Sequence, residues 1–196
     1  MADIANDDTA RLSIGPAYSL WMLPQPDARE HLAGVIARLS RRFGTRAFEP
    51  HVTVQGDLTH RLRDVAAVAD GLAQTLPAQR WRVRGIEQSS HYYRAFHLAF
   101  DGCEAFAPLV AASARALATD AGVSPFAHLS LAYGTLDASA KDALAREFAA
   151  EIPSTLTFDR LAVALSGKSV GVASWRTLQC FELAPSAPNQ SGEPSP

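Results

Sequence analysis

Part of this chain is written twice. His51-Val52-Thr53-Val54 recurs 77 positions later as His128-Leu129-Ser130-Leu131, and Ala17-Tyr18-Ser19-Leu20 recurs 78 positions later as Ala95-Phe96-His97-Leu98. Trp81 and Phe158, each opening a later alternating segment, are again 77 apart, and a phenylalanine shortly precedes each motif histidine (Phe48 and Phe126). Any one match is weak. Held in register, they predict an internal duplication, with a period far longer than that of a solenoid.

The hydrophobic pattern inside each copy is the same. In the first, residues 17–23 read as a strand closed by Pro24 and Pro26. Asp27 then reads as the N-cap of a helix to about residue 43, with Leu32, Val35, Ile36 and Leu39 on one face. Residues 51–55 alternate as a strand, Leu62, Val65, Val68, Leu72 and Leu76 mark a helix, and 81–86 alternate again. The second copy gives a strand at 93–100, a helix at 104–119, a strand at 128–133, a helix at 139–150 and a strand at 158–165. A last strand at 175–183 follows a Gly/Ser loop at 166–174.

Two β-α-β-α-β units predict an α+β fold of two pseudo-symmetric lobes, residues 15–90 and 91–184. Antiparallel sheets are expected to face a central cleft, with helices outside, and such a cleft is a natural ligand site. Residues 1–14 and 185–196 carry little apolar pattern and read as disordered tails.

In a strand, residues i and i+2 share a face. His51 and Thr53 therefore project together, opposite Val52 and Val54; His128 and Ser130 do likewise, opposite Leu129 and Leu131. Alternation of this kind is ordinary. Here both polar faces carry the same pair, an imidazole and a hydroxyl, which suits the opening of a cyclic phosphate. Attacking water must lose a proton and the departing ribose oxygen must gain one, and an imidazole titrating near ~6.5 serves either role. The Thr53 and Ser130 hydroxyls can donate to phosphate oxygens as charge accumulates there. One His-x-Thr or His-x-Ser alone would say almost nothing. His31, His60, His91 and His97 lack the duplication and read as surface or packed residues.

Composition narrows the partners. With 47% hydrophobic and 19% charged residues, the 196-residue chain can bury a proper core, and its formal charge of −2 gives no global basic field for long nucleic-acid contacts. Two cysteines, Cys103 and Cys180, without CxxC spacing argue against zinc and against a disulfide scaffold; two separate thiols are the commoner reading, one bridge the other. No carboxylate or cysteine accompanies the histidine motifs, so neither metal nor cofactor is expected. The polar N-terminus has no apolar leader and no apolar run reaches ~18 residues, so a cytoplasmic enzyme without membrane contact is expected.

Two His-x-Thr/Ser-x elements on duplicated strands resemble the two-histidine (2H) phosphoesterase superfamily. The chain is most similar to its cyclic phosphodiesterase branch: Tyr18-Ser19-Leu20-Trp21 followed by Pro24, then Phe48-Glu49-Pro50-His51-Val52-Thr53-Val54, then His128-Leu129-Ser130-Leu131-Ala132-Tyr133, and a late Trp175. The resemblance spans roughly residues 17–183. It implies hydrolysis of nucleoside 2′,3′-cyclic phosphates or of ADP-ribose 1″,2″-cyclic phosphate, with the phosphate left on the 2′ oxygen. It also implies His51 and His128 as the acid–base pair, Thr53 and Ser130 as phosphate ligands, and Tyr133 as a further cleft residue. The long polar C-terminal tail departs from the family pattern, and plant relatives carry more cysteines, some bridged.

The expected partner is a small cyclic-phosphate nucleotide or an RNA end, bound by a monomer. An RNA-end 2′-5′ ligase or cyclic phosphodiesterase is the first alternative, and a non-catalytic nucleotide-binding module the second. Beyond the motifs, Tyr92 and Tyr93 could stack on a base, although packing is commoner for such residues. Lys168 could reach the phosphate, although a solvated lysine is the commoner case.

Overall fold

The structure, a computed structural model, describes residues 17–135 and 137–185. The expected N-terminal tail, and all of the expected C-terminal tail except residue 185, lie outside them. The elements alternate as read: β1 (Tyr18–Pro24), α1 (Pro26–Phe43), β2 (Val52–Leu58), α2 (Leu62–Thr75) and β3 (Gln79–Gln88), then β4 (Phe96–Asp101), α3 (Phe106–Ala116), β5 (His128–Ala132), α4 (Ala138–Phe148), β6 (Thr155–Leu165) and β7 (Arg176–Glu182). The protein is α+β, with a seven-stranded antiparallel sheet in the order β1-β2-β5-β4-β3-β6-β7.

The third strand of each copy leaves its own half. β3 pairs with β4, and β6 pairs with β1. β6 is long because it serves two neighbours: Thr155–Phe158 lie against β3 and Phe158–Leu165 against β1, which closes the pairing into a circuit. Trp81 and Phe158, the duplicated strand openers, meet in the core with ring centroids 4.6 Å apart.

At the middle of the circuit the two motif strands are neighbours. β2 and β5 run antiparallel and pair at Val52↔Leu129, the residues just after His51 and His128. Antiparallel register carries His51 toward Ser130 and Thr53 toward His128. Because cross-strand partners share a face, all four polar side chains fall on one side of the sheet. Val52, Val54, Leu129 and Leu131 fall on the other and are fully buried in the main core.

The helices pack that apolar side. In α1 the buried stripe is Leu32, Val35, Ile36 and Leu39, as the periodicity predicts. Its start differs from expectation: Gln25 is the N-cap, Pro26 opens the helix, and Asp27 lies in the first turn. A proline has φ preset for that position, and an acid there complements the helix dipole. In α2 the deepest residues are Val65, Ala66, Ala69 and Ala73, with the larger Leu62, Val68 and Leu72 flanking the core; alanines bring this helix close to the sheet. The predicted strand at 93–100 begins later, at Phe96, because Tyr92–Arg94 form a 3₁₀ turn.

Two close approaches set the segment leading into the second histidine. Gln55, fully buried, donates to the Thr119 and Ala121 carbonyls and accepts from Ser113 Oγ, so its amide is fully used. Gly56 N–H donates to Gly122 O at 2.8 Å, and Ser124 N–H to Val54 O at 3.1 Å. A Cβ on Gly122, whose φ is 67°, would lie 1.9 Å from Gly56 O. Gly122→Ala is therefore expected to destabilise the protein by roughly 3 kcal/mol or more through clash and backbone strain, read as a lowered denaturation midpoint.

Candidate active site

The polar side of the sheet opens into a cavity of about 240 Å³. All five residues singled out by sequence line it: His51, Thr53, His128, Ser130 and Tyr133. Both imidazoles are oriented in the same way. Nδ1 of His51 is 2.6 Å from the Glu49 carbonyl, and Nδ1 of His128 is 3.1 Å from the Phe126 carbonyl, each two residues upstream. A carbonyl only accepts, so both Nδ1 atoms carry hydrogen and both Nε2 atoms are left for chemistry.

His51 is nearly sealed, at 5% exposure, with its ring stacked on Trp21 at 3.7 Å and 12°. Phe48 and Trp175 close on it edgewise. Burial holds its pKa down at about 4, against the upward pull of the Glu49 carbonyl, with His128 adding a further depression. His128 is half-buried and also sits at about 4: burial is the main cause, the Phe126 carbonyl opposes it, and His97, Arg94 and His91 lower it further. Both imidazoles are therefore neutral near pH 7.

The hydroxyls are arranged less evenly. Thr53 faces the cavity, half-buried. Ser130 Oγ donates to the Tyr93 carbonyl at 2.7 Å and lies beside the Tyr133 hydroxyl. Tyr133 is buried and stacked on Phe48 at 3.9 Å, and burial pushes its phenol well above the usual range, so it remains a donor.

Other residues join the site from elsewhere in the chain. Trp21, on the cavity side of β1, forms a small second cluster with Leu23, Ala162 and Ala164, against which Trp175 packs. The loop at 166–174 is strapped down: Ser166 Oγ donates to Ser19 Oγ, Lys168 N–H to Asp57 Oδ1, and Trp175 Nε1 to Val170 O. Lys168 Nζ is 3.5 Å from Asp57 Oδ2 at the cavity mouth. Tyr93 lines the cavity and stacks near Trp175 at 6.1 Å, while Tyr92 is half-exposed at the rim.

Of the remaining histidines, His31 bonds the Glu151 carbonyl and His60 is half-buried away from the cavity. His97 is buried behind His128, with ring centroids 5.6 Å apart, and His91 lies on the rim. Sequence reading passed over Trp21, His91 and Arg94 as site residues. Only Trp21 had a signal, since Ser19 and Trp21 share one face of an alternating strand. Cys103 and Cys180 are both free, so the bridge does not form. Among the described residues no three His, Cys, Asp or Glu side chains converge as metal ligands, and no helix is long and apolar enough to cross a membrane.

The same architecture occurs in solved structures. LigT of E. coli in apo form superposes with a TM-score of 0.54 at 14% identity, over 86% of this chain and 97% of LigT. TT0787 of Thermus thermophilus gives 0.56 at 16% identity, over 87% of this chain and all of its own. LigT has also been solved with 3′-AMP (0.56, 14% identity, 86% and 98% coverage). These likenesses show that the chain shares the fold of those proteins. The model of the cyclic phosphodiesterase-like proteins matches residues 16–187, and the chain belongs to that family. No match was found among curated proteins.

The sign of the histidine shifts fixes a stability effect. Each ring titrates near ~6.5 in the unfolded chain and at about 4 when folded. Between those values only the unfolded chain takes up the protons, so the histidines' contribution is fully present above ~6.5 and is lost as pH falls toward 4. Urea midpoints should drop across that window, and the drop should shrink in a His51→Asn/His128→Asn double variant.

Proposed function

We propose that the protein hydrolyses a nucleotide cyclic phosphate, of the 2′,3′ or 1″,2″ type, with His51 and His128 as its acid–base pair. The observation that carries this reading is the matched pair of imidazoles, each tethered through Nδ1 to the segment leading into its strand and lining one cavity with Nε2 left free of that bond. One Nε2 accepts the proton of the attacking water as oxygen bonds to phosphorus. The other Nε2–H delivers a proton to the ribose oxygen as the P–O bond breaks. Release of the 3′ oxygen leaves the phosphate on the 2′ position. Proton transfer at both ends of the displacement is covered by the two rings, so the step is written without a metal.

The pair acquires this charge pattern only when phosphate arrives. The phosphate's negative charge raises the imidazolium pKa of the neighbouring ring, which supplies the general acid. Thr53 and the protonated Tyr133 phenol are the ready donors to the phosphate, while Ser130 contributes once its hydroxyl turns from Tyr93 O. Trp21 holds the plane of His51. LigT, which shares the fold, has been crystallised with 3′-AMP and with phosphate, in keeping with a nucleotide-sized ligand here.

His51→Ala and His128→Ala should each lower kcat by at least ~10²-fold, with circular dichroism unchanged. Hydrolysis of a 2′,3′-cyclic nucleotide and of ADP-ribose 1″,2″-cyclic phosphate, followed by phosphorus NMR in the presence of EDTA, tests the chemistry and locates the product phosphate. Near-normal turnover by either variant, or EDTA-sensitive activity restored by zinc, would overturn the assignment.

The pH profiles carry a second expectation. The free enzyme holds a single proton on the pair only in the acid range, so kcat/KM should decline with rising pH through neutrality. The phosphate-bound complex keeps its imidazolium longer, so the optimum in kcat should lie at higher pH than the optimum in kcat/KM. Coincident optima would show that bound phosphate does not retune the pair.

A further inference from the structure

The two motif histidines do not have equivalent neighbours. His51 lies flat against the indole of Trp21, which takes up no proton. By the 78-position offset of the repeat, Trp21 corresponds to Ala99, and the ring that β4 brings to His128 belongs instead to His97, the counterpart of Ser19. His97 and Ala99 are the cross-strand partners of Ser130 and His128, so all four share the cavity side of the sheet. The rings of His97 and His128 meet edge to face, with centroids 5.6 Å apart and planes at 78°. Phe126 packs against both. His97 is thus a third imidazole beside the reacting pair, buried behind the residues that line the cavity.

Its tether repeats theirs. Nδ1 of His97 is 3.0 Å from the Arg94 carbonyl, so Nδ1 carries the hydrogen and Nε2 holds a lone pair. That Nε2 is buried and has no hydrogen-bond partner among the described residues. It lies 3.9 Å from Oε2 of Glu87, the cross-strand partner of His97 on β3. Glu87 is half-exposed, and its other oxygen accepts from Nε and Nη2 of Arg84. A neutral His97 therefore leaves a buried lone pair unused, whereas a protonated one becomes a donor within ion-pair range of a carboxylate.

Titratable and charged groups face His97 from the elements around it: Glu87 and Arg84 from β3, Arg94 from the 3₁₀ turn, and His128 from β5. Burial pushes its pKa down, the Arg94 carbonyl and Glu87 pull it up, and the Arg94 and Arg84 guanidiniums add to the depression. His128 is depressed chiefly by burial as well, with His97 among the groups that depress it further. Two imidazoles this close do not both charge readily, because a proton on one opposes a proton on the other. We propose that His97 is a positioning residue for the acid–base pair: its ring packs edgewise on His128 and competes with it for one proton, and Glu87 tilts that competition toward His97. A proton held between His97 and Glu87 keeps His128 neutral until the negative charge of a ligand draws a proton to His128. The role of His128 in turnover rests on the cyclic-phosphodiesterase reading; the competition for the proton is measurable without turnover.

NMR titration of isotopically labelled histidine rings follows each proton separately in the wild-type protein, in Glu87→Gln, in His97→Phe and in the double variant. The His128 signal is assigned by its loss in His128→Asn. Glu87 is at the surface, so its variant is expected to keep the fold, as circular dichroism checks, with the His97 ring in place. In Glu87→Gln, His97 should gain its proton at lower pH and His128 at higher pH. In His97→Phe, His128 should be protonated at a pH higher by about half a unit or more, the repulsion of two unit charges at this separation even with water-like screening. Adding Glu87→Gln to His97→Phe should then change nothing further at His128. In the kcat/KM profile for a 2′,3′-cyclic nucleotide, the limb that His128 governs should move to higher pH in both single variants. Movement of the acid limb would show that His128 takes the proton, and movement of the alkaline limb that it gives one.

An unchanged His128 titration in Glu87→Gln and His97→Phe would overturn the proposal. So would a lower protonation pH for His128 on losing Glu87 with or without His97, since the carboxylate would then act on His128 directly. The expected titrations with an unmoved kinetic profile would remove His97 from any part in the reaction. Inactivity of the wild-type protein on every cyclic phosphate, combined with the expected titrations, would refute the catalytic reading and leave the proton competition standing.

Discussion

A single antiparallel contact organises this molecule. β2 and β5 meet at Val52↔Leu129, and that register decides that two histidines and two hydroxyls share one face while four aliphatics share the other. A slip of one residue in either strand would turn its histidine into the core and its valine or leucine into the cavity. Much of the surrounding structure holds that contact in place. Gln55 and the Gly56–Gly122 approach fix the chain that enters β5, and the exchanged strands β3 and β6 tie the two copies into one circuit. The buried aliphatic stripe and the helices on it therefore act on the site through register.

Desolvation gives the site its electrostatic character. The pKa values of His51, stacked on Trp21, and of His128, backed by His97, are held down mainly by burial. This differs from the familiar arrangement in which an acid orients and charges a catalytic imidazole. Here backbone carbonyls supply the orientation, through two Nδ1 hydrogen bonds of the same geometry. The charge is left to the ligand. In the proposed reading, such a site couples protonation of an imidazole to the binding of an anion.

The duplication was legible because it is a local pattern: alternation places polar and apolar side chains on opposite faces wherever the strand lies. Hence His51, Thr53, His128 and Ser130 could be named from the alternation and Tyr133 only from the family resemblance, and all five line one cavity. The stripe of α1 was legible for the same reason, since Leu32, Val35, Ile36 and Leu39 follow the helical period. Element edges were less so. Pro26 displaced the expected cap from Asp27, and the aromatic run at Tyr92–Tyr93 formed a 3₁₀ turn where strand propensity suggested an extended chain. Cap and turn geometry depend on what the neighbouring elements leave room for, which hydrophobic period does not record.

By itself, then, the sequence determined the alternation of elements, the apolar faces and the chemical identity of the two motifs, because each follows from spacing along a single segment. Only the tertiary structure decided that β3 and β6 cross to the other copy, that Trp21 lies flat on His51, and that Arg94, His91 and Lys168 converge on one rim. Those outcomes join residues tens of positions apart. They depend on which strand edges satisfy one another's hydrogen bonds and which surfaces bury together, and no period within one segment encodes that choice.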